Sequence, residues 1–299
     1  MIALNQDFLR GSYTPLVTPI SDGKVDYETY ARLVEWHVAQ GSHGIVVAGT
    51  TGEPTTLSIE ERCDLLKVAM EAASGRIPVV AATGSQSHAD TIELTQRAER
   101  AGAAAVLILT PYFIRPPQRG IVEYYVDIAQ RISLPVLIYH IPGRASIAVT
   151  CDTVAKIVER APNLVGIKQA VKELELVSEL IVRLGPDFRI FVGLEDLSFP
   201  MMAIGACGVM NAVGNLAPRR IAELCDLVFA GKMEPARAAH FALFELNQSV
   251  FFDTNPIPLK YMMKRLGLLR TNEHRLPMVP ATRELEHRLD GVLERADLL

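Results

Sequence analysis

The chain has 299 residues, with 30 Lys and Arg against 34 Asp and Glu and a formal net charge of −4. No segment gathers basic residues, so a nucleic-acid or anionic-membrane surface is excluded as a partner. Hydrophobic residues at 49% and charged residues at 21% exclude global disorder and predict a soluble chain with a large core.

Short β-branched apolar runs alternate with longer stretches of helical periodicity, which is the sequence form of repeated βα units. The predicted strands are Tyr13–Thr18, Gly44–Ala48, Pro78–Ala82, Ala105–Leu109, Pro135–Tyr139, Leu164–Lys168, Arg189–Val192 and Gly208–Ala212. Helices are predicted over Tyr27–Gln40, Ser58–Ser74, His88–Ala101, Arg119–Ile132 and Pro218–Ala230, with Ser58 and Glu61 spaced as a capping box. Eight such units predict an α/β fold of the (β/α)8 TIM-barrel type. A doubly wound open sheet is the alternative, but the first strand runs into Thr18-Pro19-Ile20-Ser21 rather than a glycine-rich phosphate turn. Three more helical stretches follow, Glu234–Phe251, Pro258–Leu266 and Val279–Leu293. No linker precedes them, so the division expected is a catalytic barrel over 1–230 and a C-terminal helical extension over 231–299.

Met1–Arg10 lacks the apolar centre of a signal peptide, and no apolar run reaches the roughly 18 residues of a membrane helix. Cys63, Cys151, Cys207 and Cys225 have no metal-ligand spacing and read as reduced thiols, so a cytoplasmic location is expected. His37, His43 and His88 pair with no Cys, Asp or Glu at metal spacing, and no metal is expected.

A barrel of this type carries its chemistry at the C-terminal ends of its strands. Lys168 closes the run Leu164-Val165-Gly166-Ile167, and alternation puts Lys168, Gly166 and Leu164 on one face. If that face is the barrel interior, burial disfavours the ammonium form, and a neutral amine can attack a ketone and form a Schiff base. A strand-end lysine in solvent is the ordinary alternative. Tyr139 ends the preceding strand, where a phenol can shuttle protons for such a lysine or simply pack at the rim. Gly49–Gly52 is a tight turn whose backbone N–H groups and Thr50 and Thr51 hydroxyls suit a small carboxylate, or an ordinary βα turn. Arg144, after Pro142-Gly143, suits a carboxylate partner or a surface ion pair. Asn255-Pro256-Ile257-Pro258 reads as a turn before a helix, not as a site.

Gly49-Thr50-Thr51-Gly52-Glu53, Tyr139 with Ile141-Pro142-Gly143-Arg144, and Gly166-Ile167-Lys168, in this order, resemble the dihydrodipicolinate synthase / N-acetylneuraminate lyase family. These are pyruvate-dependent Schiff-base lyases on (β/α)8 barrels with a helical extension. The resemblance implies that Lys168 forms the imine with pyruvate or another 2-keto acid, that Tyr139 relays protons, and that Thr50 hands them on. It implies that Thr51 binds the keto-acid carboxylate, with Arg144, Gly193, Glu195 and Met210 as further substrate-binding positions. No cofactor is implied, because the imine is itself the electron sink. Self-association as a tight dimer, and as a tetramer of such dimers, is implied too, with the segment near Tyr112 reaching into the neighbouring site.

Several positions depart from the synthase pattern. Phe113 stands where a second relay tyrosine is usual, and Leu194-Glu195-Asp196 follows Gly193 in place of Asp-Asp. Asn211 replaces a serine and His140 an asparagine. Ile59 and Arg62 occupy positions where lysine-inhibited members carry histidines, so insensitivity to lysine is expected. Arg144 and the threonine pair favour condensation of pyruvate with aspartate semialdehyde to 4-hydroxy-tetrahydrodipicolinate. Glu195, Asp196 and Phe113 favour an aldolase or dehydratase of a hydroxylated 2-keto acid, such as a 2-keto-3-deoxy sugar acid or 4-hydroxy-2-oxoglutarate. A catalytically silent 2-keto-acid binding protein is the third reading, and it rests on Phe113 alone.

Overall fold

A computed structural model describes residues 1–299. Eight parallel strands close a barrel in chain order: β1 Gly11–Pro15, β2 Gly44–Val47, β3 Val79–Ala82, β4 Ala105–Leu109, β5 Val136–His140, β6 Leu164–Gln169, β7 Arg189–Val192 and β8 Gly208–Val209, which pairs back with β1. This is the expected (β/α)8 architecture. The strands are buried on both faces, which is why they read as continuous apolar runs rather than as alternations.

The outer strand faces pack under a ring of helices. The first four are α1 Tyr27–Ala39, α2 Ile59–Ala73, α3 His88–Arg100 and α4 Gln118–Ala129. Asp26, Ser58 and Ser87 cap the first three, and Ser58 and Glu61 form the reciprocal capping box. The ring continues with α5 Cys151–Arg160, α6 Leu174–Leu184, α7 Ser198–Ala203 and α8 Pro218–Phe229. Four more helices follow, α9 Met233–Ala242, α10 Phe244–Ser249, α11 Ile257–Arg265 and α12 Arg283–Arg295. Their Leu246, Leu259, Met262 and Leu293 share one apolar core with the outward residues Ile45, Ile108 and Ile190 of the barrel. No helix is long and apolar enough to cross a membrane.

Several expectations about the elements need correction: the first strand is Gly11–Pro15 rather than Tyr13–Thr18, and the last helix begins at Arg283 rather than Val279. The Glu234–Phe251 helix is broken at Leu243, between α9 and α10. The last strand ends at Val209, not Ala212, because the Ala212 amide donates to the Glu195 carboxylate at 2.6 Å instead of to a neighbouring strand. Leu164 does not share the face of Lys168. The β5–β6 register jumps from Val136↔Leu164 to Leu137↔Gly166, so Val165 is an extra residue. This bulge turns Val165 into the inner cluster with Leu137 and Tyr139, while Leu164 joins the outer core.

The two ends of the barrel differ. At the N-terminal end, the fully buried Arg189 guanidinium donates to the carbonyls of Asn5 at 3.0 Å and Phe8 at 3.1 Å, so the leading segment plugs that end. The other end opens into a cleft.

Candidate active site

Tyr139 and Lys168 are direct partners across the β5–β6 ladder. Both side chains point inward, and both residues are buried, at 6% and 5% exposure. The Lys168 ammonium lies 4.3 Å from the centre of the Tyr139 ring. Two glycines keep this region open, Gly166 by letting β6 approach β7 and Gly193 by clearing the lysine stem. A Cβ on Gly166 would lie 2.2 Å from the Arg189 carbonyl oxygen, and one on Gly193 would lie 2.9 Å from Lys168 Cε. Gly193 therefore acts by leaving space for the lysine stem.

Thr50 and Thr51 sit in a one-turn 3-10 helix directly after β2. The Thr50 hydroxyl donates to the Tyr139 phenol oxygen at 3.3 Å, which links the turn to the tyrosine and lysine. Thr51 is buried, and its hydroxyl oxygen accepts from Asn255 Nδ2 at 3.1 Å. Thus Asn255, read from the sequence as part of a simple turn, touches a candidate binding residue. The turn-before-helix reading itself holds, since α11 begins at Ile257.

Around this group the remaining expected site residues take different positions. Arg144 lies exposed on the single helical turn Pro142–Ala145 and faces the cleft. That turn follows His140, whose ring bridges Gln169 Oε1 at 2.6 Å and the Val149 amide at 3.2 Å; burial lowers its pKa and favours the neutral ring. Met210 is fully buried in the inner cluster beside Phe191.

The two acids after Gly193 part company. Asp196 lies within 3.4 Å of Lys172 at the surface, whereas Glu195 is 2% exposed. Glu195 Oε2 has no hydrogen-bond partner. Burial pushes its pKa up to about 7, against the pull of the Ala212 amide and of the Lys168 charge.

The cleft above these residues encloses about 780 Å³. Thr50, Tyr112 and Arg144 line it together with Arg62, Ser85 and Asp90. Arg62 is spent on the carbonyls of Ala82 at 2.8 Å and Gly84 at 3.2 Å. Phe113 is 79% exposed and, unlike Tyr112, does not line the cleft. No group of three or more His, Cys, Asp or Glu side chains is placed to hold a metal ion.

The sequence reading missed the supports of the Thr50–Thr51 turn. Glu53 Oε1 accepts from Lys260 at 3.0 Å and Oε2 from His274 at 3.0 Å, with all three side chains almost fully buried. A lysine inside the apolar stretch Ile257–Met263 was the available signal.

The chain matches the Dihydrodipicolinate synthetase family over residues 8–296. It is 44% identical over 291 residues to a 4-hydroxy-tetrahydrodipicolinate synthase of Thermus thermophilus, an alignment covering 97% of each chain. The crystal structure of the dihydrodipicolinate synthase from Aquifex aeolicus superposes with a TM-score of 0.95 at 37% identity, covering 97% of this chain and 98% of that one. A chloride-inhibited dihydrodipicolinate synthase from Acinetobacter baumannii, complexed with pyruvate, superposes with a TM-score of 0.94 at 35% identity, covering 97% of this chain and 100% of that one. With its barrel, its inward lysine and tyrosine pair and its threonine turn, this chain belongs to the dihydrodipicolinate synthase family.

Proposed function

We infer that this protein is a Schiff-base lyase that condenses pyruvate with aspartate semialdehyde to 4-hydroxy-tetrahydrodipicolinate. The observation that carries the reading is the Thr50–Tyr139–Lys168 arrangement at one end of the barrel. The relatives named as that synthase support the choice of substrates.

In this reading the Lys168 amine adds to the keto carbon of pyruvate. Tyr139 supplies the proton on which the carbinolamine hydroxyl leaves as water, and Thr50 restores that proton from the cleft. The protonated imine then accepts the electrons of a methyl C–H bond, whose proton leaves to the cleft through the Tyr139–Thr50 pair, giving an enamine without any cofactor. The enamine carbon adds to the aldehyde of the second substrate, whose oxygen takes up a proton returned through the same hydroxyl pair and becomes the product's hydroxyl. That substrate's amino group next attacks the imine carbon, closing the ring and releasing Lys168. Thr51 and its turn amides hold the keto-acid carboxylate, and Arg144 takes the carboxylate of aspartate semialdehyde at the cleft wall. Glu195 and Met210, just after β7 and β8, are buried and do not themselves line the cleft.

Borohydride reduction with pyruvate tests the nucleophile. The expected result is a pyruvyl adduct on Lys168 by peptide mass, and its loss in a folded Lys168→Ala variant. An adduct on another lysine, or none, overturns the assignment. Cyclised product with both substrates supports the synthase. Pyruvate release from hydroxylated 2-keto acids, without cyclisation, supports the aldolase alternative, which the buried and partly unpartnered Glu195 favours.

Residues 1–230 serve as the catalytic barrel and 231–299 as its helical extension. The exposed Phe113 and Ile114 fit a dimer in which this loop reaches a second copy, and the tetramer is a pair of such dimers. Four cysteines without disulfides fit a reducing cytoplasm.

A further inference from the structure

The helical tail reaches back to the turn that holds the two threonines. Glu53 ends that turn, with its amide donating to the Thr50 carbonyl at 3.1 Å and its backbone in the left-handed region at φ 55°. A residue other than glycine keeps that conformation only where its surroundings hold it. Here both carboxylate oxygens are occupied. Lys260 on α11 donates to one, and His274, between α11 and α12, donates to the other.

Neighbouring bonds tie the same segments together. Asn255 donates to Thr51, and Arg275 donates to Glu61 at 2.7 Å and to the Thr56 carbonyl at 3.0 Å. The turn is thus gripped from one side by residues some 200 positions later in the chain. Stability alone does not account for charge at this point. A buried ion pair gains little over apolar side chains of the same volume. What it adds is direction, because a carboxylate bonded through both oxygens to two separate elements has one orientation.

We propose that Glu53, Lys260 and His274 are positioning residues, which hold the Thr50 hydroxyl in reach of Tyr139 and set the Thr51 turn for the keto-acid carboxylate. The tail thereby acts on the reaction through the turn, although none of the three touches the substrate. This rests on the imine reading above.

The test is borohydride trapping at varied pyruvate concentration, below the melting temperature of each variant. Wild type is measured first. Without an adduct there, the imine reading falls and takes this proposal with it. Given a wild-type adduct, Lys260→Met should raise the pyruvate concentration for half-maximal trapping about tenfold or more, as expected when a binding group is displaced by a fraction of an ångström. Lys260→Arg, which keeps a donor toward Glu53, should recover to within about threefold of wild type. If Lys260→Met does not fold, Glu53→Gln with Lys260→Met removes the stranded charge together with its partner, and the same rise is expected. Half-saturation within about twofold of wild type in a folded variant lacking Lys260 overturns the proposal, leaving the triad a packing feature. A uniform loss of stability without a change in half-saturation overturns it too.

Discussion

The turn after β2 and the loop after β4 occupy equivalent places in two βα units, yet the protein treats them in opposite ways. The Thr50–Glu53 turn is almost entirely buried and is tied to the tail through Thr51 and Glu53. The loop containing Phe113 and Ile114 leaves these residues 79% and 70% exposed, with Phe113 at φ 74° and Arg115 at φ 48°. No side-chain hydrogen bond of Phe113, Ile114 or Arg115 tethers it; its local backbone bond runs from the Ile114 amide to the Tyr112 carbonyl at 3.0 Å. One cleft therefore has a wall built by the chain itself and a second wall offered outward. The anchored wall suits exact placement of a small acid, and the projecting wall suits contact with a second copy.

Breaking the anchor should give the largest effect. Lys260→Met strands the Glu53 carboxylate in the interior and should cost about 3–5 kcal/mol of unfolding free energy in urea titration. A loss below about 1 kcal/mol would mean that the turn stands without the pair.

A second experiment compares two buried acids. Burial acts to raise Glu53, but the His274 hydrogen bond and the Lys260 charge outweigh it and hold the carboxyl below its ordinary range. Glu195 lacks such a cation at bonding distance, and burial takes it up to about 7. Between the ordinary carboxyl value near 4.5 and about 7, the unfolded chain has released the Glu195 proton and the folded chain has not. The folded state binds more protons there, so Glu195 makes stability fall as pH rises through that window, by about 3 kcal/mol in all. Glu195→Gln should remove this slope from urea titrations across pH 4.5 to 7. An unchanged slope would show that Glu195 ionises normally.

The smallest effect is expected at the projecting loop. In a monomeric sample Phe113→Ala should change unfolding free energy by less than about 0.5 kcal/mol. A larger loss that grows with protein concentration, in thermal melts over a dilution series, would place the ring against a second copy.

Much of this contrast was hidden from the sequence for a physical reason. Lys168, Tyr139 and Thr50 are each local readings, because a strand end in a (β/α)8 barrel already says which mouth a residue serves. Ser58 and Glu61 are legible in the same way, since a capping box spans three positions. The anchor joins Glu53 to residues 207 and 221 positions later, and no spacing rule reaches so far. The bulge at Val165 was also invisible, because alternation assumes an unbroken ladder. Nor does the sequence show that Glu195 is buried while its neighbour Asp196 faces Lys172.

The sequence by itself determined the repeat of eight βα units, the barrel that follows from it, and the lysine, tyrosine and threonines at its mouth. Period and strand order are local properties, and eight parallel units bury their faces most completely by closing on themselves. Only the tertiary structure decided which charges pair, which remain buried without a partner, and which walls of the cleft are held. Those outcomes depend on where the tail packs, and burial and pairing exist only once distant segments meet.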